Sequence, residues 1–90
     1  MDSYLRMNIP IEVIAYTNTD GMMKPMRFQF VDADGSRKYV KIERIISADQ
    51  PTNRIGAFFE CAATLYGTEK RFRLHYSSMS RRWSLQRIQG

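Results

Sequence analysis

Apolar and polar residues alternate along most of this chain, most cleanly between Lys70 and Ile88. Phe72, Leu74 and Tyr76 alternate with Arg71, Arg73 and His75. In a strand, side chains point to opposite faces in turn, so the first set gathers on one face and the cationic set on the other. After the polar stretch Ser77–Arg82, Trp83, Leu85 and Arg87 alternate with Ser84, Gln86 and Ile88. Together the two runs predict a β-hairpin that closes a small all-β domain, with Trp83 in or near its core.

The same two-residue rhythm predicts four more strands. In Ile9–Tyr16, Ile9, Ile11, Val13 and Ala15 share a face; Pro10, which has no ladder donor, belongs at a strand start or an edge. Thr17–Gly21 is turn chemistry. Pro25–Val31 sets Met26, Phe28 and Phe30 against Arg27, Gln29 and Val31. Asp32–Ser36 is an Asp-Gly turn of the kind that joins antiparallel neighbours. Arg37–Ser47 reads as a third strand in which Ile45 falls out of phase with Val40 and Ile42, and a bulge near Glu43 or Arg44 would restore the inward set. The polar segment Ala48–Gly56 predicts the longest and most mobile loop. In Ala57–Tyr66, a strand turns Phe59, Cys61, Ala63 and Leu65 inward and Phe58, Glu60, Ala62, Thr64 and Tyr66 outward. Its alanines make a helix the competing reading.

Six strands with short connections predict an antiparallel meander paired in sequence order. So many strands in so short a chain leave exposed edges unless the sheet rolls up, so the expected architecture is a small barrel or strongly coiled sheet. Residues 1–8 are expected to form an N-terminal arm and 9–90 a single domain. Ninety residues suffice for one core and no second domain.

Composition changes this picture mainly through charge. The formal net charge is +5, and after Glu69 no acidic residue follows while Lys70, Arg71, Arg73, Arg81, Arg82 and Arg87 do. Arginine suits bidentate contacts to phosphate and stacking on planar groups; a solvated face that keeps the protein soluble accounts for the same residues. No apolar run approaches the roughly 18 residues of a membrane span, and the first residues lack a secretory apolar stretch, so the expected location is cytoplasmic, with no membrane contact.

The catalytic inventory is thin. His75, the one histidine, shares its predicted face with Arg71 and Arg73 and has no neighbouring carboxylate to orient it. Cys61 is the one cysteine, so no internal disulfide forms, and its inward position makes it a core residue. Asp32, Asp34 and Gly35 start like a calcium loop, but Arg37 and Lys38 follow and Glu43 lies in a strand, so they read as a turn. Met22, Met23 and Met26 fill gaps in a small core or offer an adaptable contact surface. No enzyme activity, cofactor or metal is expected.

Pro25, Phe28, Phe30, then Gly35, Tyr39, Val40 and Ile42, then Cys61, Phe72, Leu74, Tyr76, Trp83 and Leu85 form a succession that resembles small bacterial all-β domains of unknown function. The resemblance spans roughly residues 9 to 88. It implies a bacterial, cytoplasmic all-β domain and brings no site residues with it.

The strongest functional signal is the basic constellation of Arg71, Arg73, His75, Arg81, Arg82 and Arg87, with Tyr39, Phe58 and Tyr66 on outward faces as stacking platforms. Small β-barrels hold single strands with such groups, neutralising phosphates and stacking bases. The expectation is a small basic binding module that contacts single-stranded or structured nucleic acid through an Arg-rich hairpin. The alternative is a protein-interaction or assembly module that pairs, or self-associates, through an edge strand with no nucleic-acid role.

Overall fold

Alternation becomes strand almost everywhere. The structure, a computed structural model, describes the backbone of residues 4–50 and 56–90 and the side chains of residues 8–50 and 56–90. Among them the chain forms seven strands and no helix: β1 (Tyr4–Thr17), β2 (Met23–Val31), β3 (Arg37–Lys41), β4 (Arg44–Asp49), β5 (Gly56–Leu65), β6 (Thr68–Ser77) and β7 (Arg82–Gln89). All pairings are antiparallel. The order is β3-β2-β1-β7-β6-β5-β4, in one sheet curled into a half-barrel. Sequence neighbours pair as expected except at β3 and β4, which are consecutive in the chain yet form the two ends of the sheet. The first strand, β1, instead joins the last, β7, so the order is not the simple run expected of a meander.

The strand count is seven rather than six because the predicted third strand changes partner. Arg37–Lys41 pairs with β2, and Arg44–Asp49 pairs with β5. At the changeover Ile42 N–H donates to Met26 O at 3.0 Å and Glu43 N–H donates to Ala62 O at 2.9 Å. A change of partner, not a bulge near Glu43 or Arg44, re-phases the strand there; the register shift comes later, between Ile45 and Ser47. β1 behaves likewise, pairing with β7 up to Ile11 and with β2 from Glu12. Tyr4–Asn8, expected as part of the arm, is therefore the first stretch of β1, and residues 1–3 lie outside the described ones. Pro10 sits inside β1, where only the β7 side is paired, and its missing donor is tolerated there.

Two further register shifts correct the predicted faces. Ile14 pairs with Arg27 but Ala15 with Pro25, so Met26 is an extra residue that turns outward, and Pro25 takes the buried place instead. On β7, Leu85 pairs with Leu74 but Arg87 with Arg73. Gln86 is the extra residue, so Arg87 joins the outer face and Ile88 packs against the core. Ala48 and Asp49 belong to β4; residues 51–55 of the expected loop lie outside the described ones. Residues 57–65 are strand, and Ala62, expected outside, is buried.

The core is what the alternation selects: Ile11, Phe28, Phe30, Val40, Phe59, Cys61, Phe72, Leu74 and Leu85 are buried together. Phe28 meets Phe72 edge-on at 5.3 Å between ring centroids, an arrangement worth about 1 kcal/mol beyond its buried area. Trp83 packs at the core margin against Tyr76 and Phe59, with centroids 5.1 and 5.6 Å away.

Candidate nucleic-acid interface

Register places the hairpin cations on one face. Across β5 and β6, Phe58 pairs with His75, Glu60 with Arg73 and Ala62 with Arg71; across β6 and β7, Arg73 pairs with Arg87. Arg71, Arg73, His75, Arg87 and Phe58 therefore share the outer surface. Much of that surface is occupied by its own contacts. Glu60 Oε1 accepts a hydrogen bond from Arg73 Nη1 at 3.0 Å and another from Arg87 Nη2, and all three side chains are mostly buried. One carboxylate thus sits between two guanidinium groups and neutralises part of the field that a phosphate would meet.

Phe58 is enclosed in the same way. The Arg73 guanidinium carbon lies 4.4 Å from its ring centroid, and the His75 ring lies 4.6 Å away, tilted by 37°. This is a cation–π contact within the fold rather than an open platform. Gly56 makes room for it: a Cβ there would meet His75 Nε2 at 3.0 Å. Arg71, Arg81 and Arg82 are exposed, and no ion pair engages them among the described residues.

Tyr66 stands apart from these cations. With φ of 55° it shares the tight β5–β6 turn with Gly67 at 76°, the two positive values that a primed hairpin turn requires. Its hydroxyl donates to Asp32 Oδ2 in the β2–β3 turn, and Lys38 Nζ lies 5.1 Å from its ring centroid. The hydrogen bond from Tyr66, ahead of one from the Ala33 backbone, holds the Asp32 carboxyl below its ordinary range; the same bond pushes the Tyr66 phenol up to about 12. Arg81 and Arg82 lie at the other end of β6, roughly 30 Å of strand away.

Tyr39 belongs to a different constellation, on the outer face of β1, β2 and β3. There Glu12 pairs with Gln29 and Gln29 with Tyr39, while Ile14 pairs with Arg27 and Arg27 with Lys41. Tyr39 is 74% exposed, Ile14 61% and Tyr16 60%. Lys24, Arg27, Arg37 and Lys41 are exposed around them. Glu12 is the carboxylate of this face: it accepts from Gln29 Nε2 at 2.6 Å and from Arg37 Nη1 at 3.3 Å. Glu12, Ile14, Arg27, Gln29, Tyr39 and Lys41 line a half-open cleft of about 510 Å³.

One edge of the hairpin reaches this second face. Ile11 pairs with Trp83, and one residue further along each strand come Glu12 and Arg82; Arg82 pairs in turn with Ser77. Two paired rows thus flank the point where β1 leaves β7: Ser77–Arg82 across β6 and β7, and Glu12–Gln29–Tyr39 across β1, β2 and β3, with the β1–β7 ladder ending at Ile11–Trp83. Of the residues singled out from sequence, Tyr39 lies in the second of these rows, Arg82 in the first with Arg81 next to it in the turn, and Tyr66 and the Glu60-bound arginines in neither. Arg27, Arg37 and Lys41 were missed, although every outward position of Arg37-Lys38-Tyr39-Val40-Lys41 is cationic or aromatic and signals a wet face.

The remaining candidates have structural roles. Cys61 is fully buried; its Sγ lies 3.6 Å from Phe72 O, and burial, then the charge of Glu60, pushes its thiol up to about 12, away from nucleophilic chemistry. Asp34 accepts from Ser36 N–H at 2.9 Å, and Gly35 N–H donates to Asp32 O at 2.9 Å, so the Asp-Gly segment is a turn. Among the described residues no group of three His, Cys, Asp or Glu side chains stands ready to hold a metal, and no helix is long and apolar enough to cross a membrane. No protein-family model matches the chain, and no curated protein or solved structure is significantly similar to it.

Proposed function

We propose that this protein is a non-enzymatic module that binds single-stranded nucleic acid across the outer face of β1, β2 and β3, extended at one side by the β6–β7 turn. The observation that carries this reading is Tyr39, 74% exposed and set among Arg27, Lys41 and Arg37. A large aromatic ring held open to water beside cations suits a base stacked on its face, with phosphates drawn to the flanking charges. Stacking of this kind contributes about 1–3 kcal/mol per base. Each phosphate neutralised on a single strand adds roughly 0.7 to the slope of log K against log salt. The burial of Cys61 and the packing of His75 on Phe58 support the non-enzymatic part of the reading.

Fluorescence anisotropy with labelled single-stranded DNA and RNA across a salt series tests it. Affinity is expected to fall steeply as salt rises. Tyr39→Ala should weaken binding by roughly 5- to 100-fold with little change in the salt slope, while Arg27→Ala and Lys41→Ala should each flatten that slope by about 0.7. Absence of binding at low salt, or full affinity in Tyr39→Ala, overturns the proposal. A protein that binds no oligonucleotide yet self-associates would point to the exposed edge of β4 instead.

A further inference from the structure

Glu12 is an anion placed in a cationic cleft, and its position next to Gln29 and Tyr39 gives it something to read. Gln29 Nε2 donates to Glu12 Oε2 at 2.6 Å, which fixes the orientation of the amide and leaves Gln29 Oε1 as an acceptor. Arg37 Nη1 steadies the other carboxylate oxygen at 3.3 Å. A carboxylate oxygen has two lone pairs, so each oxygen of Glu12 retains acceptor capacity. Its side chain is 72% exposed, within reach of a ligand in the cleft. In the row Glu12, Gln29, Tyr39, an aromatic platform is thus followed across the sheet by two acceptors in successive strands.

From this arrangement we infer that the cleft prefers bases carrying an exocyclic amine, namely cytosine, adenine and guanine, over thymine and uracil. This rests on the nucleic-acid reading above. A base stacked on Tyr39 with its Watson–Crick edge toward β2 and β1 brings an amino group to Gln29 Oε1 or Glu12, the kind of contact by which carboxylates recognise the cytosine amine. Thymine and uracil present two carbonyl oxygens flanking a single N–H, and those oxygens face the acceptors without a hydrogen between them. Arg27 and Lys41 meanwhile keep the cleft positive, so the backbone is attracted whichever base is present.

The test compares labelled homopolymers of thymidine, cytidine and adenosine of equal length on the wild-type protein and on Glu12→Gln and Gln29→Ala. Thymidine strands are expected to bind, and cytidine and adenosine strands to bind roughly 10-fold more tightly. Glu12→Gln, whose amide offers a donor as well as an acceptor and which removes an anion from the cleft, should raise thymidine affinity and bring the three strands to within about 2-fold of one another. Gln29→Ala should narrow the preference in the same direction. Equal affinity of the wild type for all three strands, or a preference that survives in both variants, overturns the inference while leaving the binding module intact. Failure of every strand to bind overturns both. Because Glu12 and Gln29 lie outside the core, unchanged circular dichroism and melting of the variants separate a lost preference from a lost fold.

Discussion

Gln50 grips the backbone of Met23 with its side-chain amide: Nε2 donates to Met23 O and Oε1 accepts from Met23 N–H, both at 2.9 Å. One side chain thereby supplies the pair of bonds that an adjacent antiparallel strand would make. It ties the end of β4 to the start of β2 across the open side of the half-barrel. Gln50→Ala removes both bonds at a partly buried site and is expected to lower stability by about 1–3 kcal/mol. Gln50→Glu keeps only the acceptor at neutral pH and should fall between the two. Urea denaturation of the three proteins checks the order.

Glu60 is expected to trade stability against ligand affinity. Glu60→Gln removes the charge on which Arg73 and Arg87 converge, and the loss of charge-assisted hydrogen bonds should cost about 2 kcal/mol. The same change raises the positive field of the β5–β6–β7 face, so affinity for single strands should rise a few-fold at low salt and return to the wild-type value at high salt. Denaturation and anisotropy on one preparation read both effects. Unchanged affinity at low salt would show that the ligand stays clear of this face.

The Tyr66–Asp32 hydrogen bond should leave a two-sided mark on the pH profile. Asp32 is held below its ordinary value of 3.8, so its contribution is present above that value and is lost as pH falls through the lower folded-state value. Tyr66 is raised from 10.0 to about 12, so its contribution is present below 10.0 and is lost as pH rises toward 12. Tyr66→Phe keeps the ring and the strained backbone but deletes the bond. The stability gap between wild type and Tyr66→Phe is therefore expected to be flat from about pH 5 to 9 and to close on either side. Denaturant midpoints across pH measure it; a gap independent of pH would show that this bond contributes nothing.

Arg81 is held at φ 58° at the end of the β6–β7 turn, where its N–H donates to Ser77 O at 2.7 Å. The left-handed region costs a residue with a Cβ roughly 1–2 kcal/mol. Arg81→Gly relieves that strain and gives back part of the gain through a more flexible unfolded chain, for a net stabilisation of about 0.5–1 kcal/mol. It also deletes a cation beside the proposed strand path, so melting temperature should rise while low-salt affinity falls. Movement of both quantities in the same direction would contradict this assignment.

The all-β class and the inward set of β5 and β6 were legible because alternation carries them directly: Phe59, Cys61, Phe72 and Leu74 lie where their parity puts them. Illegible were the places where parity breaks. Met26, Gln86 and Ile46 each add one residue to a ladder and reverse the facing of the residues beyond, so Arg87 changed faces and Met26 left the core. A partner switch at Ile42–Glu43 is equally silent, since pairing partners are distant in sequence. The hairpin cations were visible as a run, but Glu60 sits in another strand, and only the register between β5 and β6 brings it beneath Arg73.

Cys61 doubles as an instrument. Its sulfur is sealed between β5 and β6, with the thiol pushed up to about 12, so a thiol reagent in the bulk has nothing to attack while the native packing holds. Labelling requires the packing around β5 and β6, toward the β4 end of the sheet, to open, an excursion that reclosing normally erases. The lone sulfur converts each such excursion into a permanent chemical mark, and the accumulation of marks over time is a clock for how often this molecule comes apart.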